Sequence, residues 1–209
     1  MKITNRNILA FEKLYRTNFI NSLSGFKSAN LIGTISKEGK TNLAIFSSAI
    51  HVGSNPPAIG FLMRPVSVER HTYSNIKETN YFTINHINKE IFKKAHQTSA
   101  RYDKDVSEFD ECSLTPEYTD TIKAPYVKDS KIKIGCRFVE EHEIKFNGTI
   151  FIVGEILEVI LPDDIIGEDG FVDIEKAGTI TISGLDSYHE TKIISRLSYA
   201  KPGIEPKEF

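Results

Sequence analysis

Two serines, two arginines and a threonine between positions 47 and 72 carry the chemistry needed to hold a phosphate. A dianionic phosphate needs short hydroxyls, backbone N–H groups and a fixed cation. Ser47 and Ser48 supply hydroxyls, and Arg64 and Arg70 supply charge. Thr72 adds a hydroxyl where the pattern starts a helix, and there the free N–H groups and the helix dipole favour an anion. The same residues have plainer uses. Serines on a strand commonly satisfy the sheet, and Thr72 can serve only as a helix cap.

Other reactive side chains are more scattered. His51 follows the serine pair, His86 ends a later strand pattern and His189 follows Tyr188. Each imidazole could guide proton or hydride movement, or simply hydrogen-bond at a turn. Glu140-Glu141-His142-Glu143 holds metal-ligand residue types. On a strand, however, Glu141 and Glu143 share one face and His142 takes the other, so a solvated strand end is expected and no metal site. Cys112 and Cys136 form no CxxC and have no histidine at zinc-site spacing. They read as reduced thiols of a cytoplasmic protein.

These residues need a scaffold, and the pattern supplies mostly strands. Ala29 to Ile35 and Thr41 to Val52 flank the polar turn Ser36 to Lys40, which reads as a hairpin. Ala58 to Met63 is a short apolar strand between Asn55-Pro56-Pro57 and Arg64-Pro65. A helix is expected over Thr72 to Thr79, capped by Thr72, and a strand over Tyr81 to Asn85. Asn88 to Ser99 puts Ile91, Phe92 and Ala95 on one helical face. A short helix is expected near Asp105 to Glu111. Lys131 to Lys145 alternates, with Ile132, Ile134, Cys136 and Phe138 on one side. Asn147-Gly148 predicts a type I′ turn, and Thr149 to Leu161 returns as a long strand. Many strands and no βαβ alternation predict a mainly antiparallel β-barrel with peripheral helices, as one domain over residues 1–209.

Bulk properties exclude two classes of partner. The net charge is −2 with Lys and Arg dispersed, so no basic footprint for nucleic acid is present. No apolar run approaches the roughly 20 residues of a membrane helix. The N-terminal stretch also lacks the apolar region of a signal peptide, so a cytoplasmic location is expected.

The order of several segments resembles the flavin-reductase-like family, particularly its flavoredoxin-like members. The matching stretches are Ser28 to Thr34, Asn42 to Ser48, Ser54 to Phe61, Arg70 to Ile76, Phe82 to Ile87, Gly154 to Leu157, Gly184 to Tyr188 and Arg196 to Pro202. The resemblance implies an FMN-binding split β-barrel, usually a homodimer with FMN near the subunit interface. It implies that Asn42, Phe46, Ser47 and Ser48 meet the flavin and ribityl chain. Met63 and Arg64 would close over the phosphate end, with Thr72 and Arg70 as its remaining partners. Lys27 and Tyr188 would lie near the flavin, or serve a turn and the core. The chain departs from the family at Arg70-His71-Thr72, where Lys-Asp-Thr or Arg-Asp-Thr is common. It also has Ile45 where proline is frequent, and lacks an Arg-Pro pair near Phe26-Lys27.

The implied activity is reduction of FMN by NADH or NADPH, with electrons passing to free flavin or a redox protein. The absence of a Rossmann GxGxxG does not exclude a pyridine nucleotide, because the family is thought to stack the nicotinamide on the flavin. Two alternatives stand beside it: a flavoredoxin-like FMN electron-transfer protein without pyridine-nucleotide activity, and a relative that keeps the barrel without the flavin.

Overall fold

The protein, a computed structural model, is described over residues 1–209. Two short helices, α1 (Asn5–Ala10) and α2 (Lys13–Ser22), precede strands β1 (Lys27–Ser28), β2 (Asn30–Ile35), β3 (Thr41–Phe46), β4 (Ile50–Ser54) and β5 (Pro57–Met63). Helix α3 (His71–Thr79) leads to β6 (Tyr81–His86), α4 (Phe92–Gln97) and α5 (Glu108–Glu111). Then come β7 (Pro116–Glu117), β8 (Tyr126–Val127), β9 (Lys133–Ile144), β10 (Thr149–Ile160), β11 (Thr181–Ser183) and β12 (Ser187–His189).

Seven strands form one antiparallel sheet in the order β3-β2-β6-β9-β10-β5-β4. Its end strands, β3 and β4, are joined only by Ser47, Ser48 and Ala49. Four Cα steps can span at most about 14 Å. The adjoining ends of the two edge strands must therefore lie close, and the sheet curls into a barrel that is split at a seam where β3 and β4 share no ladder bonds. Two serines anchor the linker at the seam to neighbouring strands. The Ser48 hydroxyl donates to the Leu62 carbonyl at 3.2 Å and accepts from the Leu62 N–H at 3.1 Å. Ser28 donates to the Ala49 carbonyl at 3.1 Å.

The barrel buries apolar groups on both faces. Ile32, Phe61, Phe82, Ile84, Cys136 and Ile152 fill one cluster, and Ile76 enters it from α3. Leu31, Leu43, Ile87, Ile91, Ala95 and Phe109 form the other, beneath α4, α5 and β11. Leu31 and Ile32 thus point to opposite cores from adjacent positions, as strand geometry requires. The expected alternation of β9 holds: Ile134, Cys136 and Phe138 join the first cluster. Ile132, just before the strand, buries instead with Ile165 and Ala177.

Several local expectations are corrected. Thr41 to Val52 is two strands at opposite sheet edges, with the seam between them. The β9–β10 turn is not type I′. That turn needs positive φ at both central residues, and here only Gly148, at φ 73°, has it. The loop runs from Lys145 to Gly148 between the paired Ile144 and Thr149. Asn147 instead uses its side-chain oxygen to accept from the Thr149 N–H at 3.0 Å. Helix α4 starts later than expected because Asn88 accepts from the N–H groups of Glu90 and Ile91, turning the chain first. The expected helix at Asp105 to Glu111 is confined to Glu108–Glu111.

Candidate functional site

The predicted phosphate-binding residues fall in two groups of contacts, one at the end of β5 beside the seam and one between β3 and the start of α3. Ser48 is tied to Leu62, beside Met63 and Arg64 at the end of β5. Arg70, at the far end of the following loop, reaches back with its Nε to the Pro65 carbonyl at 3.4 Å. Thr72 accepts from Asn42 Nδ2 at 3.0 Å, and both side chains are buried. This bond joins β3 to the first turn of α3 across 30 residues of sequence.

Thr72 is not the cap of α3. The helix begins at His71, and Arg70 occupies the cap position without a side-chain cap bond. Thr72 is turned inward to Asn42, so its hydroxyl is not spent on the helix N–H groups. The first turn contains no acidic residue. Neither Arg64 nor Arg70 belongs to an ion pair. Uncapped N–H groups and two cations free of carboxylates are the donor set that a phosphate requires.

Phe46 packs edge-on against Phe61, with ring centroids 5.0 Å apart, and Phe61 packs likewise on Phe82. The Met63 side chain is buried in the barrel core. Ser47 is half-buried between β3 and β4, and His51 is exposed on β4 opposite Ile59. Lys27 donates to the carbonyls of Asn21 and Gly184, bracing the end of α2 against the β11–β12 turn. Tyr188 bonds His96 Nδ1 at 2.9 Å, and burial pushes its phenol up to about 12. His189 Nε2 lies 2.8 Å from Ser183 Oγ. His86 Nδ1 lies 3.3 Å from Thr179 Oγ1, and burial draws its imidazole down to about 4.

The acidic strand end is taken up locally. Glu141 accepts from the Tyr73 hydroxyl at 3.0 Å and pairs with Lys77 at 3.3 Å. His142 lies 3.2 Å from Glu140, two residues away on the same strand face.

One buried acid escaped the sequence reading. Glu108 opens α5, is 6% exposed, and accepts from the Leu43 N–H at 2.9 Å. Burial holds its carboxyl above the usual range, opposed by the Leu43 bond and the charge of His71. The only sequence signal was an acid in the first turn of a short helix.

Comparison with known proteins adds four observations. The sequence model of the flavin reductase like domain matches residues 23–178. A protein of uncharacterised function from Aquifex aeolicus is 32% identical over 147 residues, which cover 69% of this chain and 74% of that protein. A crystal structure from Shewanella frigidimarina, provisionally assigned as a flavin reductase with a split barrel domain, is 50% identical. It superimposes with a TM-score of 0.92 over 96% of this chain and 100% of its own. Flavoredoxin of Desulfovibrio vulgaris shares the fold at a TM-score of 0.73 and 22% identity, over 97% of this chain and 98% of its own.

Proposed function

The chain belongs to the flavin reductase like domain family, and on that premise we propose that it is an FMN-binding oxidoreductase. In this reading NADH or NADPH reduces the bound FMN, and the electrons pass to free flavin or a redox-protein acceptor. The observation that carries the reading is the uncapped start of α3, joined through Thr72 to Asn42 on β3, with Arg64 and Arg70 free of ion pairs on the segment that leads into it.

FMN supplies the redox chemistry, and the protein binds and orients it. Arg64 and Arg70 would hold the phosphate with the first N–H groups of α3. Asn42, Ser47 and Ser48 would line the ribityl side, with Phe46 and Met63 supporting that wall from the barrel core. His51, exposed on β4, would guide any proton movement at the flavin.

The protein is proposed to work as a cytoplasmic homodimer. β4 is an edge strand with Ile50 and Val52 exposed, and such an edge calls for a cover. No helix is long and apolar enough to cross a membrane.

Two experiments test this function. Arg64→Ala and Thr72→Ala should each weaken FMN by about 1–3 kcal/mol, the loss expected for hydrogen bonds to a charged group. Fluorescence titration measures this directly, and unchanged affinity in both variants would move the phosphate elsewhere. Anaerobic mixing tests the donor: NADH or NADPH should bleach the bound flavin. If both fail while FMN stays bound, the reductase assignment is wrong and a flavoredoxin-like electron carrier remains.

A further inference from the structure

We propose that Glu108 is a positioning residue, which latches the open edge of β3 so that Asn42 is held toward the FMN site. The inference rests on the FMN-binding reading above. β3 is an end strand of the sheet, hydrogen-bonded to β2 on one side only. Along its other edge, N–H groups that point away from β2 have no strand to receive them. The segment before and at the start of α5 takes that place. Asp105 pairs with Lys40, Ser107 Oγ lies 2.7 Å from Thr41 Oγ1, and Glu108 Oε2 accepts from the Leu43 N–H at 2.9 Å.

These contacts flank Asn42 on both sides. Thr41 and Leu43 lie on one face of the strand, and Asn42 lies on the other, bonded to Thr72. Register matters here, because a one-residue slip of β3 would exchange Asn42 with an apolar neighbour. Glu108 fixes that register from outside the sheet, and Phe109 beside it is buried in the core with Leu43. Neither Glu108 nor Phe109 is among the residues proposed to touch FMN.

The test uses the full chain with added FMN. Glu108→Ala should raise the FMN dissociation constant about tenfold, the effect of losing one buried hydrogen bond to a charged group. Glu108→Gln keeps an acceptor oxygen for the Leu43 N–H and should stay within about threefold of the unsubstituted protein, since loss of charge assistance alone is a smaller change. In an Asn42→Ala background, Glu108→Ala should have no further effect on FMN. That non-additivity separates positioning from general destabilisation.

Amide exchange at Leu43 reads the latch without any flavin and should accelerate at least tenfold in Glu108→Ala. Thr41→Val is a second variant should Glu108→Ala fail to fold, with a smaller loss of FMN affinity that again disappears in the Asn42→Ala background. A folded Glu108→Ala protein with unchanged FMN affinity overturns the inference, as does an equal loss in both backgrounds. If the unsubstituted protein takes up no FMN while Leu43 exchange responds as expected, the latch stands and the FMN reading falls.

Discussion

Replacing Gly33 with alanine is expected to destabilise the protein by about 3–5 kcal/mol, at the upper end for a single substitution. Gly33 lies in the middle of β2, paired with Leu43 on one side and Thr83 on the other. The chain leading into β8 passes directly over it. A Cβ at this position would lie 2.2 Å from the Pro125 carbonyl oxygen and 2.7 Å from Thr83 Oγ1. Those two groups are already bonded to each other at 2.7 Å. Neither neighbour can yield cheaply. The Pro125 oxygen is backbone, and Thr83 is a buried β-branched residue of a central strand. Urea unfolding measures the effect, and a loss below about 1 kcal/mol would mean that the crossing segment is not tightly seated.

His86 is expected to give the fold an acid limb. Burial lowers its folded-state value to about 4, from 6.5 when unconstrained. The folded state therefore favours the neutral ring. Its contribution is complete above pH 6.5 and is lost as pH falls toward 4, because the unfolded chain takes up the proton first. Between pH 7 and pH 4.5 this single group should remove about 2–3 kcal/mol of stability. His86→Gln should flatten that part of the profile while carboxylates continue to titrate. Urea midpoints at pH 7, 5.5 and 4.5 for both proteins make the comparison. Parallel profiles would show that His86 is not the group responsible.

Much of the barrel was legible because its strands obey local rules. Ile134, Cys136 and Phe138 alternate, and strand geometry alone sends them to one core. The seam was not legible. Ala44 to Ile50 contains no glycine or proline to interrupt an apolar run, and the break at Ser47 to Ala49 exists because the chain crosses there from one edge strand of the sheet to the other. Ser48 shows the cost of reading locally. The resemblance puts it at the cofactor, and in the structure its hydroxyl extends the β4–β5 pairing to Leu62, fourteen residues away.

Thr72 illustrates a different limit. A threonine before a helical pattern looks like a cap, yet the helix starts at His71 and the hydroxyl faces Asn42. The resemblance assigns Asn42 to the flavin and ribityl side and Thr72 to the phosphate, and in the structure a buried hydrogen bond joins the two side chains. Glu108 lay beyond both kinds of reading. Its role depends on an open strand edge 65 residues away, which no local pattern in α5 reveals.

The most direct test of the account is titration of the purified, full-length protein with FMN, followed by gel filtration and a visible spectrum. The expected result is one FMN retained per chain, with its absorption bands shifted from those of free flavin. Protein that elutes colourless after incubation with excess FMN would contradict the proposed FMN site and leave the barrel in need of another ligand.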